Sequence, residues 1–180
     1  MRSIFAAALL VCLVPGVRGA DGENPFKKAN VGDWLEYKMT GPSFTGKTKM
    51  TIVAKDDKEA TYEVSPTLLS SKGNELAGHL QKRKIDLTKP YNPIMATNLQ
   101  GKENEFEKVG EGNEKIKVGE KEFDTKWTKF KRTFTFNKTT LVVEYKMWFS
   151  KDVPLSDLVK MEQNRTTFTA TLELIGSGKK

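Results

Sequence analysis

Through most of this chain apolar residues recur at every second position, and that period dictates strands. Leu35, Tyr37 and Met39 alternate with Glu36 and Lys38, followed by Met50, Ile52 and Ala54, then by Ala60, Tyr62 and Val64. Later sets are Ile116 and Val118, Phe123, Thr125 and Trp127, the long stripe Leu141, Val143, Tyr145, Met147 and Phe149, and Phe168, Ala170, Leu172 and Leu174. Side chains along a strand point alternately to its two faces, so such a pattern makes antiparallel sheet with one dry and one wet face. Threonines cluster in the same segments, at Thr133, Thr135, Thr139, Thr140 and Thr166 to Thr171. β-Branched side chains suit strands better than helices.

The breaks between these runs read as turns. Asp56-Asp57-Lys58, Gly119-Glu120, Asn137-Lys138 and Asn164-Arg165 each separate one alternating stretch from the next. Gly119 supplies the backbone freedom that a tight hairpin needs. Apolar parity changes between Trp127 and Phe130, which predicts a bulge or bend near Thr128–Lys129. Ser65 to Gln100 keeps no steady period and holds Pro66, Gly73, Gly78, Pro90 and Pro93. It is expected to be an irregular excursion, with a short helix between Thr67 and His79 and an edge strand around Leu80–Leu87. The fold class is mainly β, a curved antiparallel sheet or half-barrel of about nine strands with at most one or two short helices.

Residues 1–19 have the layout of a secretory signal peptide. Arg2 is followed by an uncharged apolar run from Ile4 to Val14, a Pro15-Gly16 break, and Val17 and Gly19 at the −3 and −1 positions of a cleavage site. The run is too short to cross a bilayer of about 30 Å as a helix. Residues 20–180 are then one exported β domain, periplasmic or extracellular, without a transmembrane segment, and losing Arg2 and Arg18 lowers the formal charge from +7 to +5. The only cysteine, Cys12, leaves with the signal, which removes disulfides, thiol catalysis and cysteine metal sites from consideration.

Gly41-Pro42-Ser43-Phe44-Thr45-Gly46-Lys47-Thr48 matches the phosphate-loop pattern G-x-x-x-x-G-K-[ST]. A working phosphate loop lies between a buried parallel strand and the N-terminus of a helix. Here Trp34–Thr40 alternates wet and dry, and Lys49-Met50-Thr51-Ile52-Val53 reads as another strand, so the segment is a hairpin with Pro42 and Gly46 as turn residues. His79, the only histidine, has no partner at metal or triad spacing. Asp56/Asp57 and Glu120/Glu122 fall in turns and on wet faces, where a carboxylate is ordinarily solvated. Lys82-Arg83-Lys84 reads as a guarded strand edge, because lysines there discourage edge-to-edge pairing. No catalytic residue, metal ligand or cofactor is expected, and a nucleic-acid partner is not, for want of a basic stacking face. The aromatics leave two readings open. Trp34, Trp127 and Trp148 either line a concave pocket for an apolar or lipid-like ligand, or belong to a packed core that serves a structural or protein–protein role with another envelope protein.

The C-terminal half carries a recognisable order of segments. Val118-Gly119-Glu120-Lys121-Glu122-Phe123-Asp124 leads to Trp148-Phe149-Ser150, then to Val153-Pro154-Leu155 and Leu158-Val159-Lys160-Met161-Glu162, with Leu172-Glu173-Leu174 at the end. This resembles a group of uncharacterised exported bacterial β proteins with a "W-[YF]-S … V-P-L-x-x-L-V-K" segment, akin to the half-barrel of lipoprotein carriers. Thr125 stands where that group often has cysteine. The resemblance implies an antiparallel half-barrel and transfers no catalytic residue.

Overall fold

The computed structural model describes residues 24–76, 78–92, 106–136, 138–165 and 168–179. After a 3-10 helix at Pro25–Lys28 come ten strands: β1 Trp34–Gly41, β2 Phe44–Lys55, β3 Glu59–Ser70, β4 Glu75–Leu76, β5 Gln81–Asp86, β6 Phe106–Val118, β7 Lys121–Phe136, β8 Thr139–Phe149, β9 Leu158–Arg165 and β10 Phe168–Gly178. They form a single antiparallel sheet in the order β4-β3-β2-β1-β10-β9-β8-β7-β6, and β5 pairs with β3 beside β4. The sheet is curled and unclosed, with neighbours in sequence mostly neighbours in space. The departures are β5, which pairs with β3 rather than β4 and is separated from β6, and the pairing of β1 with β10.

Period two carried the strands correctly, and the turns at Asp56–Lys58 and Gly119 stand where expected. The carboxylate of Asp56 accepts from the backbone N–H of Lys58 and of Glu59, both at 2.8 Å, and closes the β2–β3 turn. Gly119 takes a φ of 61°, a left-handed value that glycine adopts without steric cost. Asn164 and Arg165 end β9, where Asn164 pairs with Glu144, and the expected hairpin turns just beyond them, with Arg165 paired to Phe168 of β10. Gly46 is likewise a strand residue, between Met39 and Leu68, rather than a turn residue.

The excursion is shorter than its composition suggests. Thr67–Ser70 completes β3, so no helix forms there, and β5 occupies the expected edge position. Pro66 pairs opposite Thr48 within β3, in the gap between the stretches that β4 and β5 occupy, where no neighbouring strand needs its missing N–H. Residues 93–105 and the expected signal peptide lie outside the described residues. Burial changes parity along β7 between Thr125 and Thr128, close to the expected site. The irregularity, however, is in the β6–β7 ladder between Lys108 and Gly110, while the β7–β8 ladder runs unbroken from Lys126 to Phe136.

One face of the sheet, the inner one, carries the core: Leu35 and Tyr37 of β1, Ile52 of β2, Tyr62 of β3, Phe130 of β7 and Met147 of β8 are all buried. Three short segments pack onto it. The 3-10 helix contributes Phe26, whose ring lies 5.8 Å from that of Tyr62 and 6.0 Å from that of Tyr91. Leu87 and Tyr91 follow β5, and Val153 and Leu155 come from the loop between β8 and β9. Lys55 fixes the helix by donating to the carbonyls of Lys27 and Ala29, both at 2.6 Å.

Candidate functional site

Burial along the inner face fades in one direction on several strands. On β1, Leu35 and Tyr37 are buried and Met39 is half-buried; on β3, Ala60 and Tyr62 are buried while Val64, Pro66 and Leu68 are half-buried. On β7 and β8 the series runs from Phe130 to Phe134 and from Val143 to Leu141, with Met161 on β9 and Leu172 on β10 also half-buried. Pairing sets Met39 beside Leu172 and Leu172 beside Met161, whose next partner Met147 is buried, while Phe134 and Leu141 pair with each other further along. On β1, β7, β8 and β9 the half-buried residue lies beyond the buried ones, away from the β8–β9 loop. The face is sealed at one end and open at the other.

Polar contacts lock the sealed end. The hydroxyl of Tyr37 donates to the carbonyl of Leu158 at 3.0 Å and lies 2.9 Å from the hydroxyl of Ser156. Tyr91 donates to the carbonyl of Ser156 at 2.8 Å. Burial pushes both phenols above their ordinary pKa. The loop holding Ser156 includes two non-glycine residues in left-handed backbone, Leu155 at φ 66° and Asp157 at φ 55°. Such strain persists only where surrounding contacts enforce it. Beside this loop is a polar cleft of about 620 Å³, lined by Lys28, Asp33, Lys151 and Asp157 among others. Burial raises the Asp157 carboxyl to about 6, against the pull of Lys151 and Lys28.

Two arginines stand at the open end. Arg132 lies over the rings of Phe134, at 4.7 Å, and Phe106, at 5.5 Å, and Arg165 over Phe168 at 4.8 Å. Both act on the phenol of Tyr145, which burial raises and the two cations partly lower. The end is thus apolar within and cationic at its lip.

The three tryptophans are not there, which corrects the expectation that they line a concave pocket. Trp127 and Trp148 are cross-strand partners, Trp148 pairs with Lys160, and Trp34 stands opposite Thr51 and Gly178. All three lie on the outer face, away from Leu35, Met147 and Phe149. Trp127 packs against Gly112 and Trp34 against Gly178, where an added Cβ would meet the rings at 2.8 and 2.5 Å. Lysines cover them from outside: Lys49 is 4.5 Å above Trp34, and Lys146 is 4.6 Å from Trp127 and 4.5 Å from Trp148. The indole N–H of Trp148 donates to Glu114, which also holds Lys146 at 2.8 Å. These contacts explain bulky aromatics on a wet face.

The remaining candidates sit in plain structural surroundings. His79 is exposed between β4 and β5. Lys82 and Lys84 on the edge strand β5 pair with Glu63 at 3.1 Å and Glu59 at 2.7 Å. Among the described residues no three histidines, cysteines or carboxylates gather as a metal site would require, and no helix is long and apolar enough to cross a membrane.

No protein-family model matches the chain, and no curated protein matches its sequence. Solved structures do. A Bacteroides fragilis protein taken to be exported and described as having a YmcC-like fold aligns with a TM-score of 0.53 and 9% identity, over 84% of this chain and 97% of its own. A Parabacteroides distasonis protein taken to be a lipoprotein aligns with a TM-score of 0.54 and 12% identity, over 88% of this chain and 100% of its own. At such identities the likeness is one of fold: the curled antiparallel sheet built by this sequence is similar to that of these two bacterial proteins along nearly their whole length.

Proposed function

We propose that the protein is an exported, non-catalytic envelope component that holds an apolar or lipid-like chain against the open end of its inner face. The observation that carries this reading is the fade of burial along β1, β3, β7 and β8, which leaves Met39, Leu68, Phe134, Met161 and Leu172 half-buried at the margin of the core. Partly exposed apolar surface with a few polar groups at its rim is the usual setting of a small-molecule site. Arg132 and Arg165, stacked on phenylalanines, suit the acidic head of an amphiphile. The amino-terminal leader pattern, and the description of the two similar structures as an exported protein and a lipoprotein, support an envelope location. The segment order from Trp148 to Glu162 belongs to the same reading.

The test is native mass spectrometry of the chain, exported from a bacterial host under its own leader and purified without detergent. A discrete added mass that organic extraction removes is expected. A clean unliganded mass, with no uptake on incubation with phospholipid or fatty acid, overturns the proposal and leaves a packed interaction module.

A further inference from the structure

The loop that seals the inner face, Ser150–Asp157, is built against local backbone preference. Leu155 and Asp157 hold left-handed backbone, at φ 66° and φ 55°, which a side chain such as leucine's disfavours. Contacts on the core side keep the loop seated. Val153 and Leu155 are buried in the core, and the hydroxyls of Tyr37 and Tyr91 clamp Ser156 at 2.9 and 2.8 Å. Among the described residues the loop's own backbone hydrogen bonds are local. The N–H of Ser150 donates to the carbonyl of Asp157 at 2.8 Å and closes the neck, while Val153 donates to Ser150 and Ser156 to Pro154. The β8–β9 ladder is irregular between Trp148 and Phe149, one step before that neck. The loop therefore has a hinge at its base and can turn as a unit while the strands behind it stay paired.

One group in the loop opposes the seating. The carboxylate of Asp157 is half-buried, and among the described residues no hydrogen bond or ion pair reaches it. Lys28 of the 3-10 helix and Lys151 of the loop attract it from beyond ion-pair distance. Asp152 in the loop, Asp33 before β1 and Lys179 after β10 line the same cleft of about 620 Å³, and the phenols of Tyr37 and Tyr91 complete the titratable surroundings. A carboxylate that loses hydration and gains no donor recovers water only by moving out. Burial accordingly raises this carboxyl to about 6.

We infer that the Ser150–Asp157 loop is a pH-dependent stopper, seated while Asp157 is protonated and swung toward the cleft when it ionises. The outward movement frees the left-handed backbone, breaks the tyrosine clamps on Ser156 and lifts Val153 and Leu155, which opens the packed end of the inner face. This goes beyond the inner-face ligand reading and stands without it, because the opening needs no ligand.

Hydrogen–deuterium exchange of the intact chain, corrected for the intrinsic pH dependence of amide exchange, tests the inference between about pH 5 and about pH 7.5. Opening of the Ser150–Leu158 amides should rise about tenfold across that range in the wild type. It should stay level in Asp157→Asn, whose side chain accepts left-handed backbone and carries no charge. Tyr37→Phe, which removes one clamp on Ser156, should raise opening at every pH and keep the slope. At every pH the loop should open at least about a hundredfold more often than the β1–β2 hairpin, whose exchange reports unfolding of the whole sheet. A wild-type loop that ignores pH, a slope that persists in Asp157→Asn, or loop and hairpin amides that exchange together overturns the inference.

Discussion

Asp157 combines left-handed backbone, partial burial and a raised carboxyl pKa in one residue of the loop that seals the inner face. Between its ordinary 3.8 and about 6 the folded protein keeps a proton that the unfolded chain has released. Unfolding free energy therefore falls as pH rises through that window, and above it the whole penalty is present. The site is partly exposed, so solvent screening holds the effect to roughly 1–2 kcal/mol. Asn is the informative replacement, because it tolerates left-handed backbone and carries no charge. Asp157→Asn should be more stable than wild type at neutral pH and should lose the downward slope between pH about 4 and about 6. Urea unfolding across that range is the measurement, and an unchanged slope would assign the pH dependence to other groups.

At the scale of elements, the strands were legible and the surroundings of the tryptophans were not. Period two located nearly every strand because a half-buried sheet imposes it, and the hairpins followed from short polar breaks. Parity also placed Trp34 opposite Leu35 and Tyr37, and Trp148 opposite Met147 and Phe149. Aromatic bulk outweighed that signal, since large rings more often fill interiors. What keeps these rings outside is a bed of glycines two residues apart, Gly110 and Gly112 beneath Trp127 and Gly176 and Gly178 beneath Trp34. A Gly-x-Gly step within a strand was the clue that could have found it, because glycine there marks close approach by another group. Gly112→Ala should cost about 1–2 kcal/mol by lifting Trp127, whereas Gly110→Ala, with its nearest ring atom at 3.4 Å, should be close to neutral. Thermal melts followed by tryptophan fluorescence separate the two, and equal costs would mean that the ring is free to move.

On the proposed reading the whole molecule is a trough stoppered at one end, and that asymmetry would separate its stability from its capacity to bind. Ile52, buried on the inner face near the stopper, belongs to the region whose packing stabilises the fold. Leu172, half-buried at the margin of the core, lies where the proposed ligand would sit. Ile52→Ala should cost about 2–4 kcal/mol through lost contacts and a cavity, yet leave any co-purifying mass in place. Leu172→Trp adds volume where the face is not closed, so its effect on stability should stay within about 1 kcal/mol while the added mass disappears. Denaturant titration and native mass spectrometry on the same samples give both readings. A loss of stability at Leu172→Trp matching that at Ile52→Ala would mean the open end is already packed shut, and ligand retained in full by Leu172→Trp would move binding elsewhere. The expected pattern, stability lost at one end and ligand at the other, is one that a uniformly packed sheet does not produce.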